Sequence, residues 1–145
     1  MKTTFLMDTS CLIAAFCQWH EHNTATLAEV TRRIDQGSTL AIAAHSLLET
    51  YSVLTRLPAP RRLPSDQALA LIQANLAHHK ILAIEPRDYW KLLQTCSDKG
   101  WTGGVVYDAL VAALAESHGI PEILTHNQRD FARLVGSTTR IVVPA

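Results

Sequence analysis

Apolar residues fall along this chain in two rhythms. Short runs of about four or five recur at Thr3–Met7, Leu40–Ala43, Ile81–Ile84, Glu122–Thr125 and Arg140–Val143. Runs this short, bounded by turn residues, predict buried strands. Between them, longer stretches space their apolar residues at three and four, the period of a helix with one buried face. Helices are predicted over Cys11–Phe16, Thr24–Asp35, His45–Leu57, from Ser65 to about His79, Asp88–Ser97, Val105–His118 and Asp130–Leu134. In the second, Leu27, Val30 and Ile34 share one face, which predicts a core-facing stripe. Strands alternating with helices predict a parallel-rich α/β sandwich.

The punctuation agrees with these boundaries. Thr9-Ser10 and Ser65-Asp66 offer capping side chains, and Gly37, Pro58, Gly119 and Pro121 stand where helices should stop. Pro58-Ala59-Pro60-Arg61-Arg62-Leu63-Pro64 reads as a stiff basic loop. Gly103-Gly104 precedes a helix without the Lys-Ser/Thr ending of a phosphate loop, so it reads as a tight turn. No repeat or linker divides residues 1–145, which predicts a single domain.

Composition narrows the function classes. Of 145 residues, 48% are apolar and 18% charged, which excludes a disordered chain. The formal net charge of zero removes any global pull toward nucleic acid, so such a contact needs a local patch. Three cysteines at no framework spacing favour a reducing compartment. The first apolar run is too short for a signal peptide and no stretch reaches membrane-span length, so a cytoplasmic protein without a membrane partner is expected.

Four acids stand where solvation alone explains them poorly. Asp8 closes Phe5-Leu6-Met7, Glu49 follows Ser46-Leu47-Leu48, Asp108 interrupts an apolar helix, and Asp130 follows the fourth strand by a short turn. Each has a plain structural reading as a helix cap or an exposed helix residue. Gathered by a fold, they would repel one another unless a cation neutralised them. All-oxygen ligands with room for water suit Mg²⁺ or Mn²⁺, whose natural use is hydrolysis of a phosphodiester. In parallel sheets, ligands bind beyond the carboxyl ends of the strands, where Asp8 and Thr125 are predicted to lie.

Four segments carry a family resemblance. Met7-Asp8-Thr9-Ser10, Leu48–Arg56, Tyr107–Ala115 and Ile123–Phe131 resemble, in order and spacing, the four blocks of the PIN domain. Small proteins of this kind are most similar to VapC-type toxins of toxin–antitoxin pairs. The resemblance implies a three-layer α/β/α sandwich around a mainly parallel sheet of four to five strands. It implies a Mg²⁺- or Mn²⁺-dependent endoribonuclease, with Asp8, Glu49, Asp108 and Asp130 catalytic and the first three binding metal. Ser10, Thr125 and Asn127 would support them. Asn127 stands where the family often has Asp, which leaves the fourth corner shared between Asn127 and Asp130. Water activated by the cation would attack the phosphodiester in line, with no protein nucleophile. The implied partners are an RNA substrate, a cognate protein antitoxin and a second protomer. An RNA-processing enzyme outside any toxin pair, or a catalytically weak binding module, are the alternatives.

Other residues carry weaker signals. Cys17, His20 and His22 have half the spacing of a zinc site and no second pair, so a polar loop near the site mouth is the competing reading. Asp8-Thr9-Ser10 lacks the second Asp of an aspartyl-phosphate enzyme. Arg61, Arg62 and Trp101 are candidate RNA contacts, Trp19 a candidate base-stacking ring, and Trp90 a core residue. Leu47, Leu48, Tyr51 and Leu54 are candidates for docking the antitoxin or a second copy, with ordinary core as the alternative.

Overall fold

A computed structural model describes residues 3–145 of the chain. Its five strands are β1 (Thr4–Met7), β2 (Thr39–Ala43), β3 (Lys80–Leu82), β4 (Glu122–Leu124) and β5 (Arg140–Val142). All four pairings are parallel, in the order β3-β2-β1-β4-β5. The helices are α1 (Thr9–Phe16), α2 (Asn23–Asp35), α3 (Ala44–Thr55), α4 (Ser65–Leu76), α5 (Pro86–Lys99), α6 (Val105–Ser117) and α7 (Gln128–Ala132). The predicted elements are all present, with ends shifted by a few residues.

Strand periodicity divides the interior into two cores. Phe5 and Met7 of β1, with Leu40, Ile42 and Leu124, face α1, α3 and α4 through Leu12, Leu54, Ala68, Ile72 and Leu76. Leu6, between them, points to the opposite face with Ala41, Ala43 and Ile123. There it meets Val111, Leu114 and Ala115 of α6 and Phe131 of α7. Helices thus cover both faces of the sheet, which is why β1 and β2 are almost continuously apolar. Each fully buried Leu, Ile or Phe contributes roughly 1.5–3 kcal/mol.

Strand order fixes where a site can form. From β1 the chain builds outward through β2 and β3, then returns to place β4 on the other side of β1. Such a reversal opens a crevice at the carboxyl ends of the two central strands. Met7 pairs with Leu124, and the Asp8 amide donates to the Leu124 carbonyl at 3.1 Å. Asp8 and Thr125 therefore emerge side by side.

Several expectations are corrected. Leu27 and Ile34 are exposed, and the buried residues of α2 are Asn23, Thr26 and Arg33. Each buried polar group has a distant partner. The Asn23 amide donates to the carbonyls of Ala14 and Ala15 at 2.8 and 3.2 Å. Arg33 donates to Glu29 at 3.0 Å and Glu122 at 2.8 Å, with its guanidinium 5.2 Å from the Phe5 ring centre. Trp90 is 76% exposed rather than core. Leu54 is fully buried and Leu47 packs against the core, leaving Leu48 and Tyr51 exposed. Asp8, not Thr9 or Ser10, caps α1, while Ser65 and Asp66 lie inside α4 and cap nothing.

Candidate active site

Asp8 is the most constrained acid in the fold. It is 3% exposed and holds three donors. Its Oδ1 accepts from the Ser10 hydroxyl at 2.7 Å and the Cys11 amide at 3.0 Å, the second being the helix cap. Its Oδ2 accepts from the Thr125 hydroxyl at 2.5 Å, across the β1–β4 seam. Burial raises the Asp8 pKa, the bonds from Thr125, Ser10 and Cys11 oppose that rise, and Glu49 adds to it.

A cleft of about 570 Å³ opens over this seam, lined by Asp8, Ser10, Glu49, Asp108, Asn127 and Asp130, with Thr9, His20, Gly104 and His126 at its walls. All four acids singled out in the sequence therefore share one cleft. Glu49 comes from α3, which starts directly after β2, and accepts from the Thr9 hydroxyl. Asp108 comes from the first turn of α6, which Gly103 admits by adopting φ of 70°. The Asn127 amide nitrogen donates to Asp108 Oδ2 at 3.0 Å. The Asp108 carboxyl is pushed up to about 7, by burial first, then by Asp8, Glu49 and Asp130, against the bond from Asn127. Asp130, half exposed, stands at the outer edge with Arg133 at 3.9 Å.

The donors on this floor are oxygens, the set that suits a hard divalent cation. Among the described residues, no three His, Cys, Asp or Glu side chains draw together tightly enough to enclose an ion. A cation that keeps several of its own waters, the habit of Mg²⁺, suits such a floor, because carboxylates can then reach it in part through water. Asn127 commits its nitrogen to Asp108, which leaves its amide oxygen as a neutral donor.

The supporting residues form one hydrogen-bonded strip. Ser10 and Thr125 hydroxyls lie 3.3 Å apart, the His126 amide donates to Ser10 at 3.0 Å, and the Asn127 amide donates to Thr125 at 2.8 Å. Sequence reasoning overlooked His126 and the role of Thr9. The one signal for His126 was its place between Thr125 and Asn127. Burial, then His22 and His20, hold the His126 imidazole below its usual range.

The zinc pattern is not built. Cys17 is buried at the end of α1, and His20 Nδ1 accepts from the His22 amide at 3.0 Å. Of the candidate RNA contacts, Arg61 stands 4.2 Å over the Trp19 ring, and Arg62 is tied to the Leu57 carbonyl at 2.8 Å. Trp101 lies apart from the acids, in a cleft between α5 and α6 with Leu92 and Ala113. No helix among the described residues is long and apolar enough to cross a membrane.

The family model of the PIN domain matches residues 5–136. Ribonuclease VapC40 of Mycobacterium tuberculosis is 36% identical over 122 residues, covering 84% of this chain and 85% of that protein. The fold is similar to crystal structures of Mycobacterium tuberculosis VapC20, a sarcin–ricin-loop-cleaving toxin, and of Rickettsia felis VapBC2 bound to a promoter DNA fragment. The first is 15% identical with a TM-score of 0.69, over 91% of this chain and 96% of that one. The second is 17% identical with a TM-score of 0.67, over 97% and 98%. With this match, with Asp8, Glu49 and Asp108 in one cleft at the centre of a parallel sheet, and with a VapC ribonuclease among its relatives, the chain belongs to the PIN-domain family.

Proposed function

We propose that this chain is a divalent-cation-dependent endoribonuclease, the toxin of a toxin–antitoxin pair. The observation that carries the reading is the crowding of Asp8, Glu49 and Asp108 in one cleft, with the Asp108 carboxyl pushed up to about 7. A carboxyl raised by burial and by neighbouring acids, as Asp108 is, is one whose charge a bound cation would offset.

Asp8, Glu49 and Asp108 would hold Mg²⁺ or Mn²⁺, which when bound supplies positive charge for the phosphoryl oxygens and lowers the pKa of water. Thr125 and Ser10 orient Asp8, and Thr9 orients Glu49. Asn127 orients Asp108 by donating to one of its oxygens. Asp130, which lines the same cleft, would take the proton that leaves the attacking water. Arg61 would support RNA binding as a local positive charge on a chain whose net charge is zero. Phosphate is positioned by such donors without reading sequence.

The antitoxin reading is supported by the VapBC pairing named for the Rickettsia felis neighbour. It is also supported by apolar side chains left outside the core, namely Leu48 and Tyr51 on α3 and Trp90 and Leu93 on α5. Those surfaces suit a protein partner and a second protomer. The experiment is cleavage of total RNA by purified protein with Mn²⁺ or Mg²⁺, against chelator and against Asp108→Asn. Cleavage that survives both chelator and Asp108→Asn would refute the reading.

A further inference from the structure

A row of rings leaves the acidic cleft and ends at an arginine. It starts at His126, whose neighbour Thr125 holds Asp8. His126 stacks on His22 at 4.4 Å between centroids and 11° between planes. His22 meets His20 at 5.6 Å, and His20 meets Trp19 at 5.9 Å. Arg61 then covers the Trp19 ring at 4.2 Å. His20 and His126 line the same cleft as the acids, so the row is continuous with the proposed reaction centre.

Local hydrogen bonds hold the imidazoles in place. The Thr26 hydroxyl donates to the His22 carbonyl at 2.7 Å, so it accepts from His126 Nε2–H at 2.8 Å. His20 Nδ1 accepts from the His22 amide, which puts the His20 proton on Nε2. Two ring nitrogens are thus committed within the protein. The nearly parallel His22–His126 pair covers one face of each ring with the other, which leaves an outer face to each and converges no lone pairs on a point. This arrangement is suited to flat π-systems and unsuited to a metal ion. Trp19 is 43% exposed on a loop, although its bulk would stabilise the fold if buried.

We propose that the His126–His22–His20–Trp19 row, closed by Arg61, is the track on which unpaired RNA nucleotides stack beside the scissile phosphodiester. The inference rests on the ribonuclease reading and adds the residues that would hold the bases flanking the cleaved bond. Aromatic faces engage bases only where these are not stacked in a duplex. The row also meets the need set by zero net charge, because stacking and one local cation replace a global field.

The test separates binding from cleavage. Fluorescence anisotropy of a labelled short single-stranded RNA, without divalent cation, reads the track. Product release with Mn²⁺ reads the nuclease, so either can fail alone. Trp19→Ala and Arg61→Ala are each expected to weaken single-strand binding about tenfold, within the range of one base–aromatic stack. Trp19→Phe, which keeps a ring, is expected to bind within about twofold of the parent chain. Circular dichroism checks that each variant is folded. Trp19→Ala that folds and binds as tightly as the parent chain overturns the track. So does an equal loss of affinity for single strand and duplex, which would assign the effect to charge alone.

Discussion

The Asn127 side-chain nitrogen lies 3.0 Å from Oδ2 of Asp108 and donates to it. This bond lowers the Asp108 pKa against four influences that raise it. Asn127→Asp removes the donor and adds a fifth carboxyl to the four that line the cleft. Without divalent cation the variant should be less stable at pH 8 by about 1 kcal/mol, and Mn²⁺ should stabilise it more than the parent chain. Thermal melts with and without Mn²⁺ measure both effects.

Asp108→Asn should separate activity from stability. A carboxyl raised in the fold binds its proton more tightly there than in the unfolded chain. The stability it contributes is therefore present at low pH and is lost as pH rises from the ordinary 3.8 through about 7. Removing the charge should stabilise the cation-free protein at pH 8 by about 1–2 kcal/mol, allowing for partial solvent screening, and change little at pH 4. Cleavage should fall by at least about a hundredfold, an effect of about 2.7 kcal/mol on the barrier. Urea unfolding at the two pH values checks the stability claim.

Cation binding should expel protons. Below about pH 7 the cation must displace the Asp108 proton, so affinity should rise with pH up to that point and then flatten. Calorimetric titration of Mn²⁺ at pH 6 in two buffers of different ionisation enthalpy reads the released proton directly. Equal heats in both buffers would argue against this linkage.

Thr125 should matter more than its size suggests. Its hydroxyl is fully buried, donates to Asp8, and accepts from the Asn127 amide. Thr125→Val should cost about 1–3 kcal/mol, because Asp8 loses a buried hydrogen bond and the Asn127 amide a part-buried one. Thr125→Ser should recover most of it. Denaturant midpoints of the two variants test the claim.

The exposed apolar residues of α3 and α5 should govern assembly rather than folding. Leu48 is 73% and Trp90 76% exposed. Leu48→Glu and Trp90→Glu should leave the melting temperature within a few degrees and reduce self-association or antitoxin capture. Light scattering after size exclusion, with and without antitoxin, reads the change. Unchanged assembly in both variants would place the partner surface elsewhere.

The sequence made the alternation of strands and helices legible because both cores follow simple periods. Phe5, Leu6 and Met7 alternate between two cores, and a run of three apolar residues signals that burial. Strand order was not legible, because β1–β4 pairing joins segments over a hundred residues apart. On α2, where Val30 packs against the core but Leu27 and Ile34 stay exposed, the buried polar residues were not legible for a related reason. Asn23, Thr26 and Arg33 are buried only because α1, His126 and Glu122 satisfy them. Trp90 was misread because ring size suggests burial whatever the surroundings. The acids were legible one by one through their apolar neighbours. The contacts Thr9–Glu49 and Asn127–Asp108 left no trace in the local pattern.

Asp8 terminates a central strand, caps α1 and faces the cleft at once. Asp108 neither ends a strand nor caps a helix. Loss of function in descendants of this gene should therefore leave an uneven scar. Position 108 can drift to almost any helix former once cleavage is no longer selected. Position 8 stays under selection for a cap, and accepts Asn or Ser far more readily than Ala. A copy that keeps a capping residue at 8 and an apolar one at 108 has kept its fold and abandoned its chemistry.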